Sequence, residues 1–278
     1  MAAMYAAAAA MSARLVATKA QLVTLACIAA GLAFWMDSFY NFVVQTNAYS
    51  SNLVNIGNWC SHTPFVINKA CGESPEPILL IGLCYTFGLL GCGMVGGAFL
   101  NALGRRFPNL STAKKLAVCM LLMSLVDLLG DFAATRLGLW NLFVSDSFTV
   151  WDSQHRCPIL ILIPAGCFFG GPVVMRHFKN DKGQTVFERG LEHLSARARK
   201  TVTFLSLAGT MQVLIFITIT FLVGGMGLYA KNTPDYPAHT VNGMCDVGTV
   251  TGTAYGPCPG TPGYKAPLRW LPNAPAGQ

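Results

Sequence analysis

The sequence predicts an all-α membrane protein, a bundle of about five transmembrane helices with a cytosolic N-terminus and a disulfide-pinned external C-terminal tail. Composition is the first reason: 53% of the residues are hydrophobic and only 11% are charged, whereas soluble domains carry about 25% charged residues. Length of apolar runs is the second. Five stretches, at about 20–43, 77–102, 115–137, 157–176 and 201–229, approach or exceed the roughly 20 residues needed to cross a bilayer. The third is the placement of the net charge of +7. Arg14 and Lys19 precede the first span, Arg105, Arg106, Lys114 and Lys115 fill the loop after the second, and seven basic residues from Arg176 to Lys200 crowd the loop after the fourth. The alternate loops, 44–76 and 138–156, are slightly acidic. Such alternation follows the positive-inside rule, so the basic loops are expected in the cytosol and the others outside or in a lumen.

The chain divides into an Ala-rich cytosolic leader (1–19), a single transmembrane bundle (20–229) and an external or lumenal tail rich in glycine and proline (230–278). The first span closes as Phe34-Trp35-Met36-Asp37-Ser38-Phe39-Tyr40-Asn41. Aromatic residues mark the membrane interface, so Asp37 and Asn41 belong near its external end and share a helical face. Glu76 precedes the second span, where an acid complements the helix dipole. That span is rich in glycine, and Gly93-Met94-Val95-Gly96-Gly97 offers small residues for close helix packing. The fourth contains Pro158, Pro164 and Pro172, which neighbouring helices can accommodate. In the last basic loop, Asp181-Lys182-Gly183 reads as a turn and 186–200 as a short amphipathic helix on the membrane face.

The third span carries Asp127 and Asp131, one helical turn apart on one face with Ser124 and Thr135. A charge near the bilayer centre costs at least ~2.5 kcal/mol, so such residues face a protein interior or a wet cavity. This pair is the expected centre of the protein's chemistry. A structural ion network is the competing reading of the same stripe, with Arg136 pairing an acid.

Cysteines avoid the basic loops. Cys60 and Cys71 lie in the first external loop and Cys245 and Cys258 in the tail, a pattern that suits an oxidising face. Cys60–Cys71 and Cys245–Cys258 are the simplest pairs, although four cysteines allow three connectivities. The short spacings of a zinc site are missing, and so are a nucleotide motif and a His/carboxylate metal cluster. No cofactor and no metal are expected. The basic loops are accounted for by topology and contact with lipid, and nucleic acid is not expected as a partner.

Taken together, these features resemble the AveC-like spirocyclase family of membrane proteins over residues 35–262. The matching pieces are Asp37 and Asn41, Asn58-Trp59, Glu76-Pro77, Asp127 with Asp131, Thr135-Arg136-Leu137-Gly138 and Lys182-Gly183. Phe187-Glu188-Arg189-Gly190-Leu191, Cys245 and Pro257-Cys258-Pro259 complete the set. At the position of Asp131 the family pattern often has glutamate, and this chain has the shorter acid.

The resemblance implies closure of a dihydroxy-ketone to a spiroketal on a small apolar substrate. One alcohol adds to the ketone, water leaves to give an oxocarbenium ion, and the second alcohol captures it. Asp127 and Asp131 are the expected catalytic pair, one protonated near neutral pH and the other charged, because burial and mutual repulsion disfavour double ionisation. Asp37, Asn41, Trp59, Glu76, Arg136 and Trp140 are expected around the substrate, the tryptophan faces stabilising a passing cation. The same acids would serve another membrane cyclase acting on an isoprenoid, a proton relay or transporter, or a structural membrane protein without catalysis.

Overall fold

The computed structural model describes residues 21–68, 71–72, 74, 76–143, 148–151, 155–228 and 238–240. The leader and the Cys245–Cys258 pair lie outside the described residues, as does all of the tail but 238–240. Five helices account for most of the described chain. They are α1 (Gln21–Gly31), α2 (Ile78–Arg106), α3 (Thr112–Arg136), α4 (Leu162–His177) and α5 (Ala196–Leu228). Of these, α2, α3 and α5 are long and apolar enough to cross a membrane, which fits a membrane protein. Helix α4 is shorter, and a 3-10 turn at Ile159–Ile161 leads into it.

The first predicted span is broken. Helix α1 stops at Gly31, and Phe34–Asn41 forms a 3-10 helix. The Ala33 and Met36 amides bond three residues back, to Ala30 and Ala33. The amphipathic helix expected at 186–200 is also corrected, since the chain is helical only from Ala196. Gly190 sits at φ +74°, and the Glu188 carboxylate accepts hydrogen bonds from the Thr185 amide and hydroxyl. Both fold the segment into turns. The Ser195 hydroxyl then accepts the Ala198 amide, capping α5.

The chain forms two compact units. The first comprises residues 1–36, 80–126 and 165–215. Within it, α4 packs closely on its neighbours through small residues. A Cβ on Gly96 would enter the Val173 side chain, and one on Gly93 would touch Pro172 at 3.4 Å, so the glycine run of α2 makes the close approach the sequence predicts. Leu100, Cys119, Met123 and Val173 form the core here. A second cluster, Ala29, Leu207 and Ala208, is covered by Phe187, whose carbonyl also accepts the Thr203 hydroxyl.

The second unit comprises residues 37–79, 127–164 and 216–278. It contains three short antiparallel ribbons. Strand β1 (Asn47–Tyr49) pairs with β4 (Trp140–Leu142), β2 (Asn55–Ile56) with β3 (Glu76–Pro77), and β5 (Thr149–Val150) with β6 (Cys157–Pro158). A disulfide joins Cys60 to Cys71, one of the two pairings anticipated from the sequence. Leu128, Leu142, Cys157, Ile161 and Val223 form its core, with Tyr40, Phe132 and Trp140 against them.

Candidate functional site

Helix α3 is polar inside and apolar outside, as a span in a protein bundle requires. Val118, Leu121, Leu125 and Leu129 are exposed, while Ser124, Asp131 and Thr135 are buried and Asp127 is partly exposed. The hydroxyls on the inner stripe bond back into the helix, Ser124 to the Met120 carbonyl at 3.1 Å and Thr135 to the Asp131 carbonyl at 2.7 Å. That leaves the two carboxyls as the reactive groups of the stripe, one turn apart and within electrostatic reach of each other.

Asp131 is held from the next strand. After α3 the chain turns at Gly138, whose φ of +66° favours glycine, and enters β4. There the Trp140 indole N–H donates to Asp131 Oδ1 at 3.2 Å. Strand register sets Tyr49 opposite Trp140, with the rings edge-on, 6.4 Å between centroids and 80° between planes. The Tyr49 hydroxyl in turn donates to Asp37 Oδ2 at 2.5 Å. Asp37, Tyr49, Trp140 and Asp131 thus form one chain of contacts built on a three-residue ribbon.

Asp37 and Glu76 form a second acidic pair. Both are buried. The Ser38 hydroxyl donates to Glu76 Oε1, and Ile56 opposite Glu76 in the β2–β3 ribbon fixes its position. Burial pushes the Glu76 carboxyl up to about 8, the negative charge of Asp37 adds to this, and the Ser38 hydrogen bond opposes it. Glu76 stands just ahead of α2, and its carboxyl also reaches Ser38 across the loop.

The other expected site residues have different surroundings. Asn41 is a structural clip: its Oδ1 accepts the Thr46 and Asn47 amides at 2.9 and 3.0 Å, and its Nδ2 donates to the Asn47 carbonyl at 3.0 Å. Trp59 packs edge-on against Phe39, 5.2 Å between centroids. The Arg136 guanidinium lies over the Trp151 ring at 5.8 Å, with Nη1 3.4 Å from His155 Nδ1. Three residues that sequence reading passed over complete the arrangement. Tyr49 and Ser38 are the donors just described, and Cys157 lies beside Thr135 within electrostatic reach of both aspartates. Tyr49 carried no usable signal, because its partner strand lies some ninety residues further on and both strands are three residues long.

The sequence profile of the spirocyclase AveC-like family matches residues 18–240. This chain belongs to that family. Its membership points to a cyclase-type function, and the match spans all four acids, Tyr49 and Trp140. No curated protein and no solved structure matches the chain.

Proposed function

We propose that this AveC-like protein closes a dihydroxy-ketone to a spiroketal by general acid–base catalysis at Asp127 and Asp131. The observation that carries the reading is the Trp140-held Asp131 carboxylate one turn from Asp127. Two nearby carboxyls, one of them held by the Trp140 indole, suit unequal proton occupancy, which acid–base work requires. The protonated member donates to the ketone oxygen while the ionised member takes the proton of the attacking alcohol, giving a hemiketal. Donation to the hemiketal hydroxyl then releases water and leaves an oxocarbenium ion, which the ionised carboxylate stabilises. Addition of the second alcohol returns its proton to the pair. The net change is loss of one water, with no oxidant or reductant consumed. Assistance of this kind is worth about 10²–10⁴-fold.

Around that pair, Trp140 positions Asp131 and presents its ring to the cation. Asp37 and Glu76 supply further proton-holding groups beyond Tyr49. Trp59 and Arg136 shape the surroundings, and Asn41 holds the loop that presents β1. The chain is a multi-pass membrane protein whose basic loops face the cytosol.

Spiroketals also close spontaneously, so stereochemistry is a better readout than conversion. Purified wild-type protein is expected to bias the diastereomer ratio from model dihydroxy-ketones, and Asp127→Asn or Asp131→Asn to abolish the bias. A ratio equal to the uncatalysed one across a panel of chain lengths, with folded wild-type protein, overturns the reading in favour of a structural role for the acids.

A further inference from the structure

We infer that the mouth of the α2–α3 hairpin is a binding site for a phosphate-ester anion, of the kind carried by anionic phospholipid headgroups. The pocket lies within the first unit, and none of the four acids lines it. It encloses about 450 Å³. Leu100 and Leu116 give it an apolar floor continuous with the core cluster around Cys119 and Met123. Asn101 and Thr112 supply amide and hydroxyl groups, and the cationic side chains are Arg105 and Lys115, with His177 from the end of α4.

Several features select an anion over a neutral or cationic ligand. No carboxylate lines the pocket. Among the described residues neither Arg105 nor Lys115 is paired with a carboxylate, so both charges are available. Lys115 is drawn over the hairpin, its Nζ about 4.0 Å from where a Cβ on Gly104 would stand. Thr112 opens α3, and the free amides of a helix start add partial positive charge. Arg105 presents a planar fork suited to two phosphate oxygens, and Lys115 a point charge for a third.

The joined floor and cationic rim match a phospholipid better than a bare ion. Acyl carbons near the glycerol can rest on Leu100 and Leu116 while the phosphate meets the cations. Basic pockets between spans on the cytosolic side are a recurring lipid-headgroup geometry, and the charge alternation predicts the cytosolic side for this hairpin. Soluble phosphate esters share the chemistry, and the test separates the two.

Full-length protein purified in a zwitterionic detergent is titrated with phosphatidylglycerol or phosphatidylcholine and bound lipid is counted by native mass spectrometry. Inorganic phosphate is titrated in parallel by thermal shift. Wild type is expected to retain phosphatidylglycerol over phosphatidylcholine, and Arg105→Gln with Lys115→Gln to weaken it by about five-fold for each charge removed. Arg106→Gln with Lys114→Gln removes the same charge from the same loop outside the pocket lining and should leave retention near the wild-type level. Asn101→Asp adds a repelling carboxylate without removing packing, so it reports even where the first variant fails to fold. A phosphate-dependent shift lost in the same variants, without lipid preference, keeps the anion site and assigns it to a soluble ester. Retention that falls equally in both double variants, or in neither and not in Asn101→Asp, overturns the site.

Discussion

At the scale of single residues, the acid cluster depends on hydroxyl and indole donors placed by short ribbons. Tyr49 is the test of that dependence. Tyr49→Phe keeps the ring against Trp140 and removes the hydroxyl that donates to the buried Asp37 carboxyl. The loss expected is about 1–3 kcal/mol of unfolding free energy. In a double-variant cycle with Asp37→Asn, coupling above about 0.5 kcal/mol is expected, and additive losses would show that the bond contributes nothing. Glu76 predicts a pH dependence. Its carboxyl stands at about 8 in the folded chain against an ordinary 4.5, so the folded state keeps a proton that the unfolded chain releases. The stability this contributes is fully present below the unfolded value. It falls as pH rises from about 4.5 to 8, by at most about 1.4 kcal/mol per pH unit. Thermal unfolding in detergent should show wild type losing stability across that window more steeply than Glu76→Gln; parallel profiles would remove Glu76 as the cause. The four acids were legible as residues, because charge in an apolar chain is conspicuous. Their partners were not. Ser38 and Tyr49 are ordinary polar residues whose role is set by a pairing that local pattern does not encode.

At the scale of elements, helix α2 shows why apolar periodicity carried so far. A span needs little beyond an apolar run and small residues where another helix comes close, and both are visible as composition. Gly96 and Gly97 separate packing from composition. Gly96→Leu drives a side chain into Val173 and should destabilise by about 1–3 kcal/mol through overpacking, whereas Gly97→Ala meets open space and should change the unfolding midpoint little. Equal effects of the two would mean that the α2–α4 contact does not govern stability. What composition could not show is where helices stop. The 3-10 helix Phe34–Asn41 and the turns at 186–195 are set by side chains bonding away from the helix axis, Asp37 to Tyr49 and Glu188 to Thr185. Sequence periodicity is blind to such bonds, which offer the chain an alternative to the helix. The Cys60–Cys71 bridge was open to reading only as one of three connectivities, and the fold selects it by bringing the two Cα atoms to 5.8 Å.

At the scale of the whole molecule, the number of crossings decides which side the acid cluster opens to. Helices α2, α3 and α5 are long enough to span, and α4 with its preceding 3-10 turn reaches about 30 Å, the thickness of the hydrocarbon core. The described part of α1 reaches only about 16 Å, so whether the first segment crosses turns on the charge pattern rather than on helix length. If it crosses, the termini lie on opposite sides and the loop holding Cys60 and Cys71 faces the oxidising compartment. If it does not, that loop shares the cytosol with the N-terminus, where thiols stay reduced. The bridge is therefore a marker of topology as well as a constraint on the loop, closing eleven residues for an expected contribution of about 3 kcal/mol. Terminal reporter fusions should place the N-terminus in the cytosol and the C-terminus outside. Protein trapped with alkylating reagent at lysis should carry the Cys60–Cys71 bridge, with Cys60→Ser and Cys71→Ser equally destabilised. Termini on one side together with two free thiols would mean four crossings. The acids at the β1–β4 ribbon would then face the cytosol, and the substrate would have to arrive from that side.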